Sequence, residues 1–531
     1  MHRNPSVMKH TFSEVPRAEI PRSTFDRSHG HKSAFNAGVL VPVLVDEALP
    51  GDTFNVTGTI FARLATPIFP IMDNLYLDVH YFAVPLRLVW NNWEKFNGAQ
   101  DNPGDSTDYQ IPQTTAPVGG YAIGNLADYF GIPTGVASLQ HSALFRRAYW
   151  LIWNQWYRDQ NLQDSIVVPM GDGPDVIEDS PLLRRGKRHD YFTSCLPWPQ
   201  KGPGVTIPLG TDAPVRTSAI DMVTGVQSAM KMSTVTGGAP PDQTLAMANA
   251  GDVGHSGTGG SITGGLYPRN LYADLTQASA ATINSLRQAF QLQRMFERDA
   301  RGGTRYTEVL KAHFGVTSPD ARLQRPEFLG GGTTPVNIAP IPQTSGTGAY
   351  TPTPQGNLAA MGTVLSRNGF TMSFTEHCII LGLASVRADL TYQQGLNRMW
   401  SRMTRFDFYW PALSHIGEQA VLQKEIFASG VPAEDDTVFG YQERYGEYRY
   451  KPSIITNVMR STAPQSLDAW HLSQDFAAAP VLNAAFIEEN PPIDRVVAVT
   501  DEPQFIVDMF FKMRCARPMP VYGVPGFIDH F

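Results

Sequence analysis

The stretch Thr371–Pro411, TMSFTEHCIILGLASVRADLTYQQGLNRMWSRMTRFDFYWP, decides how the rest of the sequence is read. Its first part follows a two-residue period. Met372, Phe374, Glu376, Cys378, Ile380, Gly382 and Ala384 point one way, and Ser373, Thr375, His377, Ile379, Leu381, Leu383 and Ser385 the other. From Cys378 onward both faces are apolar, the pattern of a strand covered on both sides. A second aromatic run, Phe406-Asp407-Phe408-Tyr409-Trp410, is expected as β structure that stops at Pro411, which has no N–H to donate to a ladder.

Strands this rich need partners, and the matching segments lie far away in the chain. Val39–Val45 is a continuous apolar run; Thr53–Leu64 alternates, with Phe54, Val56, Gly58, Ile60 and Ala62 on one face; Leu75–Val84 alternates again. Near the other end, Phe505, Val507, Met509, Phe511, Met513 and Cys515 alternate with Ile506, Asp508, Phe510, Lys512 and Arg514. The expectation is one β core holding 53–64, 75–84, 371–391 and 505–517, because closing long loops costs only logarithmically more entropy than closing short ones. A mainly β sandwich or barrel with long insertions follows.

The intervening segments differ in character. Residues 1–38 are polar and carry Arg3, Lys9, Arg17, Arg22 and Arg27, which predicts an extended basic arm that either touches phosphates or threads onto a neighbour, or is a solvated tail. Residues 86–200 read as helices and loops. Within them, 139–159 is expected as a helix with Ser138 as N-cap and a core-facing stripe of Leu139, Ala143, Trp150, Trp153 and Tyr157. Residues 210–268 hold few charges and few large apolar groups, so they are expected as a long exposed insertion, with Gly237, Pro240, Asp242, Asp252, Gly259 and Gly264 on a surface protrusion. Asp274 and Gln277 suggest a capping box before a helix whose buried face holds Ile283, Leu286, Phe290, Met295 and Phe296 and which stops at Gly302-Gly303. A short helix from Tyr306 to Phe314 follows, then a Pro- and Gly-rich connection, making 270–368 a helical and loop insertion.

Composition narrows the function. Of the 531 residues 42% are hydrophobic and only 17% charged, with 46 Gly and 41 Pro, which suits a loop-heavy β architecture with large contact surfaces. No run has the apolar length of a membrane span, and the first residues show no apolar signal core. Cys195, Cys378 and Cys515 are odd in number and far apart, as expected of buried thiols in a reducing compartment. A net charge of −7 argues against a histone-like nucleic-acid coat. The densest basic cluster, Arg184-Arg185-Gly186-Lys187-Arg188 followed by His189-Asp190-Tyr191-Phe192, suits DNA contact, inter-subunit ion pairing or a solvated loop. Phosphate-loop, HExxH, GxSxG and dinucleotide fingerprints are absent from the sequence. His29-Gly30-His31 and Gly171-Asp172-Gly173-Pro174-Asp175 lack the companions of a metal site, so no cofactor or metal is expected.

Several ordered blocks then resemble one family: VPRAEIPRSTFDRSHGHK from Val15, PGDTFNV from Pro50, RRGKRHDYFTSCLPWPQKG from Arg184, ERDARGGTRYTEVLKAHFGVTSPDARLQRPEFLGGG from Glu297, and SVRADLTYQQGLNRMWSRMTRFDFYWP from Ser385. They are similar to the major capsid proteins of Microviridae, small single-stranded DNA bacteriophages, and most of all to the gokushovirus branch. The resemblance implies a single viral jelly roll over 39–531, a T=1 icosahedral shell around circular ssDNA, and a threefold protrusion that this chain would place at 210–268 and use for host attachment. It also implies a homo-oligomer built through pentamers, with a small basic DNA-binding protein, an internal scaffolding protein, a DNA pilot protein and a host receptor as partners. A non-enzymatic virion component, assembled in the host cytoplasm, is the expectation. A carbohydrate-active β-sandwich enzyme or lectin is the alternative, resting on the aromatics and unassigned carboxylates.

Overall fold

The computed structural model describes residues 21–176, 182–206, 283–346 and 355–522, with six short strand segments between 215 and 273. The chain divides into one compact unit of residues 1–199 and 299–531 and a second of residues 200–298.

The first unit is mainly β, and all its ladders are antiparallel. Ten strands build its two larger sheets: β1 (Ser23–Asp26), β2 (His29–Phe35), β3 (Val41–Ala48), β4 (Thr53–Leu64), β5 (Leu75–Pro85), β6 (Glu327–Pro335), β7 (Asn337–Pro342), β8 (Leu358–Ser373), β9 (Cys378–Ala388) and β10 (Phe505–Arg517). One sheet runs β2-β10-β4-β8-β7, with β1 also on β10; the other runs β6-β5-β9-β3. The long-range pairing expected from the sequence is present: β10 aligns on β4 from Phe505 opposite Leu64 to Ala516 opposite Thr53. Likewise β9 aligns on β5 from Cys378 opposite Pro85 to Ala388 opposite Leu75.

Alternation explains the core. Phe505, Val507, Met509, Phe511, Met513 and Cys515 of β10 meet Phe54, Val56, Ile60 and Ala62 of β4 and Leu75, Leu77, Val79 and Tyr81 of β5 in one buried cluster. The sheets approach closely at Tyr81. Its ring lies about 3.0 Å from where a Cβ on Gly382 would stand, and its hydroxyl 2.5 Å from one on Gly58, so both positions need glycine. Every residue of β9 is buried, as the two apolar faces predict. Ile379, Leu381 and Leu383 face a second cluster with Phe82, Val84, Trp90 and helix α1 (Leu144–Ile152). Described residues between 86 and 183 therefore form the outer cover of the four-stranded sheet. A third cluster, around Tyr191, Phe192, Tyr392, Val421 and Phe439, forms on the hairpin Glu418–Leu422/Val438–Glu443.

Several expectations need correction. The alternation from Met372 to Ser385 is two strands, not one: β8 ends at Ser373 in one sheet and β9 starts at Cys378 in the other. The aromatic run 406–410 is not a strand. Asp407 accepts hydrogen bonds from the N–H groups of Met403 and Thr404 at 3.0 and 2.7 Å, winding the chain into a helical turn at Arg405–Asp407. Ser138 does not cap α1; Gln140–Ser142 pairs with Gln113–Thr115 first, and the helix starts after Ala143. The connection before 368 contains β6, β7 and part of β8. Its Gly330-Gly331-Gly332 hid the strand, although a Cβ at Gly331 would stand only 2.3 Å from the Val79 carbonyl oxygen. Of the arm, residues 1–20 lie outside the described residues, whereas 23–35 are strands on β10. Helix α2 (Ile283–Gly302) leaves Ile283, Phe290 and Met295 exposed where a buried face was expected, and helix α3 (Tyr306–Phe314) occupies its predicted span. The Asp274–Gln277 capping box lies outside the described residues.

Candidate assembly and nucleic-acid surfaces

The basic cluster is mostly built into the fold. Arg185 donates to the buried Asp78 carboxylate at 2.6 Å, and Arg387 reaches the same oxygen at 3.0 Å. Burial alone would raise the Asp78 carboxyl; Arg185, Thr333 and Arg387 outweigh it and hold the group below the ordinary aspartate value. Lys187 is buried, donates to the Phe486 carbonyl at 2.6 Å and lies 4.7 Å from the centre of the Phe486 ring; burial lowers its pKa. Arg184 bridges the carbonyls of Ala37 and Glu489 at 3.3 and 3.0 Å. Arg188 is the exposed member. These cations therefore tie the 184–188 segment to strand ends and to 486–489. Arg27 pairs with Asp46 at 2.7 Å, and Arg22 donates to Thr53 on the edge of β4. Arg3, Lys9 and Arg17 lie outside the described residues.

Local folding at 399–410, of which only 406–410 was expected as a strand, creates a different surface. Trp400 is 71% exposed and Met403 90%, with Phe406, Phe408, Tyr409 and Trp410 each about half exposed. The loop is held by its own hydrogen bonds: Asp407 caps Thr404, and the Trp410 indole donates to the Arg405 carbonyl at 2.7 Å. Those N–H contacts, the Thr404 backbone first, hold the Asp407 carboxyl below its usual range. The Arg402 guanidinium lies 4.3 Å from the Tyr448 ring centre and 5.3 Å from that of Phe408. Arg405 covers Phe406 at 5.0 Å. Such a patch of tryptophan, tyrosine and arginine is the composition of binding hot spots, and large exposed apolar patches mark interaction sites. The readable signal was Thr404 three residues before Asp407 and three consecutive aromatics, Phe408, Tyr409 and Trp410, which break alternation.

In the second unit, three short ladders nest inside one another. Val215–Thr217 pairs with Leu271–Ala273, Met232–Thr234 with Leu266–Pro268, and Thr244–Met247 with Val253–Ser256. The inner two share one register, Thr244 opposite Ser256 and Thr234 opposite Leu266. The candidate protrusion residues Gly237, Pro240, Asp242, Asp252, Gly259 and Gly264 fall between the ladders, outside the described residues.

Among the described residues no group of three or more His, Cys, Asp or Glu side chains is arranged to hold an ion, and the three cysteines are free and buried. His29 and His31 each hydrogen-bond a carbonyl, of Arg27 and Val43. In the 171–175 turn, Asp172 accepts from the Trp90 indole at 2.7 Å, and Asp175 pairs with Arg147. The Trp153 and Tyr157 side chains of the aromatic stripe are internal; Trp153 donates to the Arg184 carbonyl at 2.8 Å and Tyr157 meets His80 at 2.8 Å. Among the described residues no helix is long and apolar enough to cross a membrane.

Comparison with known proteins agrees with this picture of a β sandwich with broad contact surfaces. Residues 13–527 match the family described as Capsid protein (F protein). The chain is 50% identical to the capsid protein VP1 of Bdellovibrio phage phiMH2K, with 98% of each chain covered. It is 46% identical to capsid protein VP1 of Chlamydia phage 1, again over 98% of each, and 39% identical to that of Spiroplasma virus 4, over 97% of each. With a match spanning both the β core and its insertions, this chain belongs to the capsid protein (F protein) family of the Microviridae, on its gokushovirus side.

Proposed function

We propose that the protein is the repeating subunit of a T=1 icosahedral shell that encloses circular single-stranded DNA, each copy contributing one eight-stranded jelly roll. The observation that carries this is the strand order. Taken as two sets of four, β2-β10-β4-β8 and β3-β9-β5-β6, successive strands alternate between the sheets except at the β5–β6 step, where the chain stays in one sheet. That winding is the double Greek key of shell-forming jelly rolls, whose edges and end loops remain available to neighbours. The role is structural and not enzymatic. Subunits meet through the Trp400–Trp410 surface, and the segment 215–273 is the host-attachment element. Its location is the virion, after assembly in the host cytoplasm with a scaffolding protein, a basic DNA-binding protein and a pilot protein as partners.

Co-expression with the internal scaffolding protein, followed by sedimentation and negative-stain microscopy, tests the reading. Uniform icosahedral particles whose DNA resists nuclease are the expected result. Protein that sediments only as a monomer would overturn it.

A further inference from the structure

Beneath β3, beside helix α1, lies a concavity of about 230 Å³. Leu126, Phe130, Ile132 and Phe145 give it an apolar body, and Tyr121, His141 and Arg146 line a polar part. The charges around that part do not balance. Arg147 is fully buried and takes the Asp175 carboxylate with both prongs, at 2.9 and 2.5 Å, while a third nitrogen donates to the Val89 carbonyl at 3.0 Å. Arg146, only 6% exposed, approaches the same carboxylate no closer than 3.6 Å, beyond a proper hydrogen bond. Its other contacts are a 3.4 Å bond to the Thr114 hydroxyl and the Trp150 ring at 4.8 Å, and its Nε has no partner. Two buried guanidinium groups thus share one carboxylate, and an unmatched buried charge is costly.

His141 does not relieve this. Its Nδ1 lies 3.0 Å from the Ser142 carbonyl and its Nε2 2.7 Å from the Tyr121 hydroxyl. Burial and then Arg146 keep the ring below its ordinary pKa, so the neutral ring donates through Nδ1 and accepts from Tyr121 through Nε2. Both polar neighbours are committed to each other, which leaves Arg146 as the donor for an incoming group.

We propose that this cavity binds a small amphipathic carboxylate, its head on Arg146 and its apolar tail along Leu126, Phe130 and Phe145. An apolar body with one convergent polar end matches a ligand with one head and one tail. The inference does not depend on the shell reading, since it concerns a cavity within one subunit.

Calorimetric titration of the purified full chain with dodecanoate tests it. Saturable binding near one molecule per chain is expected, with dodecanol and dodecyltrimethylammonium at least tenfold weaker. Arg146→Gln, which removes the cation, and Ala127→Phe, which fills the cavity and keeps the cation, are each expected to weaken dodecanoate at least tenfold. Should Arg146→Gln fail to fold, Ala127→Phe and the dodecanol comparison still decide. No saturable dodecanoate binding, dodecanol binding as tight as dodecanoate, or unchanged affinity in Ala127→Phe overturns the proposal. Binding of a carboxylate-terminated peptide in place of dodecanoate overturns it in favour of a protein partner.

Discussion

At the scale of single residues, backbone approach and buried charge set the sharpest demands. A Cβ at Gly369 would stand 2.0 Å from the Val56 carbonyl oxygen, whereas one at Gly332 would meet nothing nearer than 3.5 Å. Gly369→Ala is therefore expected to destabilise by at least about 1–3 kcal/mol, the range for overpacked sites, while Gly332→Ala changes the urea midpoint little. Asp78 supplies a pH-dependent counterpart. Its folded pKa lies below its unfolded one, so its stabilisation is complete above the unfolded aspartate value of about 3.9 and fades as pH falls through the lower, folded value. Asp78→Asn leaves Arg185 and Arg387 without their shared carboxylate, at a cost of about 3–5 kcal/mol at pH 7. Urea midpoints of wild type and variant are expected to converge as pH falls below about 4, and a gap as wide at pH 3 as at pH 7 would refute the assignment. Reversing Arg184 or Arg185 is expected to lower stability before it alters any DNA affinity.

At the scale of elements, legibility followed burial. Strands β4, β5 and β10 were readable because one face packs on the core and imposes a period of two, and β9 because both faces are covered. Strand β6 escaped because its glycines answer to neighbouring backbone rather than to any core face. The 406–410 run misled because its aromatics face outward in the single chain, where apolar content no longer reports β structure. The basic cluster misled in the opposite sense: cations that looked like a surface are internal ties, and nothing in RRGKR by itself reveals Asp78, about a hundred residues away. Two experiments belong to this scale. Deleting 236–264 leaves Val235-Gly265 as a two-residue link between Thr234 and Leu266, which already pair, so a soluble protein with an unchanged core transition is expected, together with loss of host attachment. Core unfolding in that variant would show the deleted segment to be structural. Trp400→Ala combined with Met403→Ala removes highly exposed side chains, so the expected outcome is an unaltered monomer, by circular dichroism, with impaired particle formation by sedimentation.

For the whole molecule, net charge and topology have separate consequences. A chain at −7 whose central basic cluster is largely internal can neutralise few phosphates. Isolated subunits are expected to bind ssDNA weakly, with a shallow slope of log affinity against log salt; tight binding that survives high salt would contradict this. The remaining consequence comes from β10, which lies between β2 and β4 although some 440 residues separate Leu64 from Phe505. A ribosome adding about 5–20 residues per second needs on the order of half a minute or more to travel from one to the other. Throughout that interval one edge of β4 is open, and the β10 face that completes the cover of Phe54, Val56 and Ile60 has not been made. The two-sheet core therefore closes only after nearly the entire polypeptide has been made, and the first half of each nascent chain must be shielded from its neighbours on the same polysome. Growing chains cannot yet present finished shell contacts, so assembly is deferred until synthesis is almost complete.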